Sequence, residues 1–351
     1  MSVDRKKLVI RADANVDIGS GHMMRCLTIA KEARSSGIDV IFAVSSEVSV
    51  DLPADAGYEI AILSSPIRKW DAAEGKTLAR YCQENRVDFL LVDSYAVTNQ
   101  FFSGLRSIAS LITVAYIDDM YTFEHGRLGN PIRRDVDVLV NYGFAEYGEQ
   151  YRNVYSETNV RLCLGLAYAP VRKEFSTDVF AVKENIERVL ITTGSTNPND
   201  VLETIAEAVD NTLPEAKIDI VVGALSSCSI SEPDNVTLYR GLKDLSSLMK
   251  NADMAISAAG TTLYELCAVG LPTIAIALVE NQLPNLDGFE RMGFGVGFRS
   301  IPPSDILDSA LLIFAENVVR RGEYSERMHA EVNVNGARKL IGAIAASVDN
   351  E

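Results

Sequence analysis

The feature that most constrains this chain is the alternation of short, unbroken apolar runs with stretches of helical periodicity. Runs of strand length occupy residues 7–11, 39–44, 89–92, 111–117 and 136–141. Helical patterns lie between them, around 23–34 and 77–85. Strands covered on both faces read as continuous apolar runs, whereas strands with one wet face alternate polar and apolar positions. The pattern therefore predicts a parallel sheet wrapped by helices. It restarts after residue 185, with strands at 188–192, 218–222, 236–239, 254–257 and 273–277. Helices fit at 200–209, 242–251, 262–269 and 286–292. The expected class is α/β, with two doubly wound Rossmann-like domains. The expected boundaries are 1–180 for the first domain, 185–335 for the second and 336–351 for a C-terminal helix. A polar linker is expected near 176–185. In such sheets ligands sit beyond the carboxyl ends of the strands. If the halves face each other, those loops converge on a cleft.

Length fits this reading, since 351 residues is about two domains at roughly 150 each. Charge narrows the partners. Lys and Arg total 33 against 48 Asp and Glu, a formal net charge of −15. Such a chain is poorly suited to nucleic acid, which is bound by neutralising phosphates with cations, and to anionic membrane surfaces. A small anion could still be held by local dipoles. No apolar run approaches the ~20 residues needed to span a bilayer. The opening residues lack the long apolar stretch of a secretory signal. The five cysteines are scattered without a CxxC pair, which predicts reduced core thiols and a cytoplasmic protein.

Three segments could carry chemistry. The first, D-A-N-V-D-I-G-S-G-H-M-M-R from Asp13 to Arg25, follows the first strand. Gly19 and Gly21 would let backbone approach a ligand. His22 would then sit at a helix start, where the dipole favours a neutral imidazole able to take a proton. Arg25 falls one turn later on the same face. The pattern is not GxGxxG, and a tight turn with an incidental His is the alternative. The second segment runs from Ser257 to Glu265 through Ala259, Gly260 and Thr261. Small residues opening a helix suit a phosphate cradle, and Glu265 is placed for ribose hydroxyls. The alternative is a turn that only lets the helix pack closely. The third is Glu280-Asn281-Gln282 with Asn285, which suits sugar hydroxyls or simple helix capping. Asp93-Ser94-Tyr95 and Asp118-Asp119 end two strands. Without a third acid or a nearby His they are poor metal ligands, and capping or orienting an Arg or His is the favoured reading.

Taken together, these segments resemble a family. The G-x-G-H-x-x-R run after the first strand is similar to that of the UDP-2,4-diacetamido-2,4,6-trideoxy-β-L-altropyranose hydrolases of pseudaminic acid biosynthesis. Leu91 to Tyr95, Tyr116 to Asp119, Gly165 to Phe175 (G-L-A-Y-A-P-V-R-K-E-F), Thr193 to Thr196, Ala259 to Glu265 and Glu280 to Gln282 follow in the same order. The resemblance covers about residues 7–299, and the Gly165–Phe175 block discriminates best. One departure is Gly194-Ser195, where a Gly-Gly pair is expected. The C-terminal half also looks like the lipid II-forming N-acetylglucosaminyltransferases, whose fold is GT-B.

The resemblance implies a metal-independent, cofactor-free hydrolase of a UDP-activated deoxy diacetamido sugar. His22 would activate a water that attacks the anomeric carbon with inversion, releasing UDP. Asp13 and Arg25 join His22 in the catalytic group. Gly260 and Thr261 would hold the diphosphate, Glu265 the ribose, and Gln282 and Asn285 the sugar or phosphate. Gly19, Gly21, Asp93, Tyr95, Gly194, Ala259, Glu280 and Asn281 complete the expected substrate contacts. Such an enzyme would serve polysaccharide biosynthesis or flagellin glycosylation. Two other functions fit the same residues: a GT-B glycosyltransferase, or a sugar-nucleotide-binding subunit without chemistry.

Overall fold

The computed structural model describes residues 5–14, 21–64, 69–118, 135–144, 148–178, 180–194, 197–223, 229–230, 233–242 and 244–347. Two compact units emerge. The first comprises Met1–Tyr142, Glu146–Pro170 and Asn335–Glu351; the second comprises Gly143–Ala145 and Val171–Val334.

The first unit is a seven-stranded parallel sheet in the order β3-β2-β1-β4-β5-β6-β7. Its strands are β1 (Lys7–Ala12), β2 (Asp39–Val44), β3 (Glu59–Ile62), β4 (Phe89–Asp93), β5 (Thr113–Ile117), β6 (Val138–Asn141) and β7 (Arg161–Leu164). Helices α1 (Gly21–Ser35), α2 (Asp51–Asp55), α3 (Ala72–Glu84), α4 (Asn99–Arg106) and α5 (Gly148–Val154) connect them. Local chemistry starts the helices where the chain must turn. Asp71 caps α3 by accepting from the amides of Ala73 and Glu74, and Thr98 caps α4 by accepting from that of Phe101.

The second unit repeats the plan with six parallel strands in the order β10-β9-β8-β11-β12-β13. These are β8 (Arg188–Thr192), β9 (Lys217–Val222), β10 (Val236–Arg240), β11 (Met254–Ala258), β12 (Thr273–Ile276) and β13 (Gly295–Phe298). Its helices are α6 (Val201–Thr212), α7 (Ser246–Asn251), α8 (Thr262–Val269), α9 (Leu283–Arg291), α10 (Ser304–Glu316) and α11 (Val318–Glu331). Both sheets thus share the doubly wound order 3-2-1-4-5-6, the first with one strand added. In each, the order reverses between the first and fourth strands.

The strands that sequence reasoning misses are β3, β7 and β13, and all three are edges. An edge strand has one flank in water, so its residues are only part-buried and the apolar run breaks up. The opposite error occurs at Leu111. It begins the expected run but is 89% exposed, and β5 starts at Thr113.

The stretch beyond residue 301, without an assigned role from sequence, is structural in both units. Leu307, Leu311 and Phe314 of α10 and Tyr324 and Met328 of α11 are buried in the second unit. Buried Arg321 ties this stretch to the incoming chain, donating to the carbonyls of Lys183, Glu184, Phe314 and Ala315. The last helix, α12 (Gly336–Ala345), packs on α1 in the first unit. Gly336 lies so close to Ala169 that a Cβ would fall 2.0 Å from its carbonyl oxygen. Arg161 donates to the Ala343 carbonyl at 3.0 Å. Among the described residues, no helix is long and apolar enough to cross a membrane. Cys26, Cys82, Cys163 and Cys267 are free and buried.

Candidate active site

In the first unit the site forms where strand order reverses. Ala12 at the end of β1 pairs in register with Asp93 at the end of β4. The turn after β1 delivers His22 as the second residue of α1, directly beside Asp93. The Nδ1 of His22 lies 2.6 Å from Oδ1 of Asp93. Arg25, three residues further along α1, donates from Nε to Oδ2 of Asp93 at 2.6 Å and from a terminal nitrogen to Oδ1. Its other terminal nitrogen donates to the Tyr142 hydroxyl at 2.7 Å. The thiol of Cys26 completes the ring around Asp93 at 3.4 Å.

Charge and tautomer follow from these contacts. Burial by itself would raise the Asp93 pKa, but the Arg25 guanidinium and His22 outweigh it and hold the carboxyl well below the usual range. Asp93 is therefore an anion that can only accept. Nδ1 also lies 2.9 Å from a terminal nitrogen of Arg25, which can only donate; the shorter 2.6 Å contact with the carboxylate favours the tautomer with its proton on Nδ1. The Nε2 atom is then the acceptor, fixed in direction by a buried carboxylate. Tyr95 packs edge-on to the imidazole, with ring centroids 4.4 Å apart. Burial plus the carboxylate pushes the Cys26 thiol well up, so it remains a neutral donor.

A second buried cluster braces the same turn. Asp13 accepts from the Ser45 amide at 2.6 Å, the Ser45 hydroxyl at 2.7 Å and Arg11 at 2.9 Å. The Arg11 guanidinium stacks over Trp70, 3.9 Å from the ring centroid, and also donates to the Ala43 carbonyl. All these groups are buried. Asp13 thus welds the ends of β1 and β2 together.

The second unit presents a different surface at the equivalent place. Thr192 ending β8 pairs with Ser257 near the end of β11. Gly194 takes φ +81°, a conformation that requires glycine, and its amide donates to the Thr192 hydroxyl at 3.4 Å. After β11, the amides of Gly260, Thr261 and Thr262 have no hydrogen-bond partner among the described residues and open α8. Gln282 accepts from the Leu278 amide through Oε1 at 2.9 Å. Its Nε2 is left beside Gly260, 3.6 Å from where a Cβ would stand. Glu265, in the first turns of α8, is paired with Arg172, whose Nε and a terminal nitrogen lie 3.0 and 2.9 Å from Oε1. Burial raises the Glu265 pKa, partly offset by Arg172. A strand-end turn with unbonded amides, a helix dipole and a flanking carboxylate suits an anionic ligand bearing hydroxyls.

This second-unit arrangement coincides with a known domain. Residues 188–329 match the glycosyltransferase family 28 C-terminal domain. The second unit is thus similar to that domain over 188–329. Relatives extend the likeness into the first unit. The UDP-2,4-diacetamido-2,4,6-trideoxy-beta-L-altropyranose hydrolase of Campylobacter jejuni is 21% identical over 84% of this chain and 99% of its own length. In Helicobacter pylori, a protein named pseudaminic acid cytidylyltransferase and UDP-2,4-diacetamido-2,4,6-trideoxy-beta-L-altropyranose hydrolase is 30% identical over 59% of this chain; the match spans 37% of that protein. An uncharacterised protein of Methanocaldococcus jannaschii is 22% identical over 79% of this chain and 56% of its own length. The crystal structure of Acinetobacter baumannii MurG superposes with a TM-score of 0.68 at 16% identity, covering 97% of this chain and 99% of that one. The likeness places the fold in the GT-B class, and the family resemblance seen in the sequence is met by relatives bearing that name.

The structure sorts the expected site residues into three groups. Tyr95, Gly194, Gly260 and Thr261 lie at strand-end loops, and Gln282 shares a single helical turn with the exposed Glu280 and Asn281; Gly21 and His22 open α1, with His22 5% exposed. Others are committed inward, and here the expected roles are corrected. Asp93 is not available to substrate, because it is 1% exposed and surrounded by His22, Arg25 and Cys26. Asp13 and Arg25 are likewise buried in ion pairs and position the site rather than face it. In the second unit, Ala259 is buried and Asn285 braces the loop. Asn285 accepts from the Tyr264 hydroxyl at 3.0 Å and donates to the Ala259 carbonyl at 3.3 Å. Gly19, Asp119, Ser195 and Thr196 lie outside the described residues. Sequence reasoning passed over Arg172 as a functional residue. Its signal was its place in the discriminating Gly165–Phe175 block.

Proposed function

We propose that this protein hydrolyses a UDP-activated deoxy diacetamido sugar. The observation that carries the reading is His22, whose Nδ1 is tied to buried Asp93 so that Nε2 is left as a fixed proton acceptor. In the reaction, Nε2 takes a proton from water as the water oxygen bonds to the anomeric carbon. The bond from that carbon to the UDP oxygen breaks with inversion, and UDP departs with the electron pair. Charge growing on the β-phosphate would be met by the amides opening α8. Glu265 would take the ribose hydroxyls. None of these steps needs a metal or a cofactor. Relatives named for this hydrolysis support the substrate class. The reading predicts a protein of the cytoplasm, where sugar nucleotides are made.

The family 28 match favours one second reading, a UDP-sugar glycosyltransferase. Purified protein mixed with the UDP-sugar separates the two. Hydrolysis predicts stoichiometric UDP and free sugar with no acceptor present. Release of UDP only upon adding a glycosyl acceptor would replace hydrolysis with transfer.

A further inference from the structure

The pair Arg172–Glu265 is placed oddly for a structural ion pair. It lies at the opening of α8, beside the unbonded amides, with side chains 20% and 18% exposed. Both guanidinium contacts fall on the same oxygen, Oε1, at 3.0 and 2.9 Å. A guanidinium fork normally spreads over both oxygens of a carboxylate. Here Oε2 has no hydrogen bond among the described residues, and the Glu265 side chain is 18% exposed. Arg172 itself is steadied from behind by Phe175, whose ring centre lies 4.7 Å from the guanidinium.

We propose that Arg172 is the positioning residue for nucleoside recognition: by occupying only Oε1 it orients Glu265 and keeps it ionised, reserving Oε2 as the acceptor for a ribose hydroxyl. The inference rests on reading the 260–265 turn as the nucleotide site. Arg172 is needed because the other charges near Glu265 work against ionisation. Asp244, before α7, and Glu174, on the turn Lys173–Phe175, are both acidic. Lys250 of α7 is engaged by the Glu174 carbonyl at 2.7 Å. The β11 strand adds only Met, Ala, Ile and Ser side chains, and α11 meets α8 at its far end, where Ser325 lies beside Gly270. Without Arg172, a partly buried Glu265 among acids would hold its proton to higher pH, and a protonated carboxyl is a poorer acceptor.

The test is calorimetric titration of uridine and of UDP into wild type, Arg172→Met, Arg172→Lys and Glu265→Gln, from mildly acidic to slightly alkaline pH. Taking the ratio of variant to wild-type Kd cancels titration of the ligand. Arg172→Met should weaken uridine binding about tenfold at mildly acidic pH, recovering as pH rises, with Arg172→Lys intermediate. Glu265→Gln should bind weakly at every pH. A uniform loss in Arg172→Met, with no pH dependence of the ratio, would show that Arg172 contacts ligand directly and overturn the positioning role. Unchanged affinity in Arg172→Met with weakened Glu265→Gln overturns it too, leaving the nucleotide site in place. Unchanged affinity in both variants sinks the nucleotide-site reading itself.

Discussion

Both sheets reverse strand order at the same point and both send their candidate loops from the strands that flank it, yet the two places are furnished in opposite ways. In the first unit the strand ends are packed with buried charge: Arg11 with Asp13, and Asp93 with Arg25 and His22. The contacts there are short and mutually constraining. In the second unit the strand ends carry Gly194, Gly260, Thr261 and Gln282, small or neutral, with amides left open. A general base gains from a fixed direction and tautomer, which buried ion pairs impose at a cost in desolvation. A binding loop gains from backbone donors that are not yet spent. On the proposed reading, the same scaffold would support a chemistry site and a holding site by changing a handful of side chains.

The sharpest break in that division would come from His22. Changing His22 to Asn should lower turnover about 10²–10⁴-fold while leaving UDP affinity near the wild-type value, read by product release and calorimetry. A comparable loss of UDP affinity would mean that the two ends do not divide the labour. Next comes Asp93→Asn, which leaves the Arg25 guanidinium without its anion. Breaking a buried pair in this way costs roughly 3–5 kcal/mol, visible as a lower urea midpoint, together with loss of activity. An equally stable variant would show that the cluster is not what holds the first unit's strand ends.

Acid sensitivity tests the same cluster with less force. The folded-state pKa of Asp93 lies below the 3.8 of a free carboxyl. Its contribution is thus present above that value and is lost as pH falls through the lower, folded one. The urea midpoint of wild type should drop more steeply below about pH 4 than that of Asp93→Asn. On the binding side, Gly260→Ala should change stability by less than about 0.5 kcal/mol, since its Cβ meets only Gln282 at 3.6 Å. It should nonetheless weaken UDP binding severalfold, because the added methyl stands where backbone must meet phosphate. Unaltered affinity would move the cradle elsewhere.

How far the sequence speaks for itself also differs between regions. Central strands such as β4 and β11, buried at every position, announce themselves as apolar runs, and so both sheets were legible. Three of the four edge strands did not, because water on one flank dilutes the pattern; β10 is the exception. His22 and the Gly260–Thr261 turn could be found from local chemistry, a histidine on a glycine turn and small residues before a helix. Asp93 could be noticed but not placed, since its role depends on a partner 71 residues away that only sheet register brings near. Arg172 and Glu265 are 93 residues apart, and no periodicity links them. Asn285 read as a ligand contact because sequence cannot show that a polar side chain is already occupied, and Ala259 because sequence cannot show burial.

The return of α12 to the first unit has a bearing on how the molecule is made. The first unit's core strands leave the ribosome early, but the helix that seals Gly336 against Ala169 and packs on α1 is made only after the whole second unit. The second unit, although later in the chain, has all its strands before that closing segment is synthesised. Birth order and completion order are therefore reversed, and the half that carries His22 is completed after its neighbour.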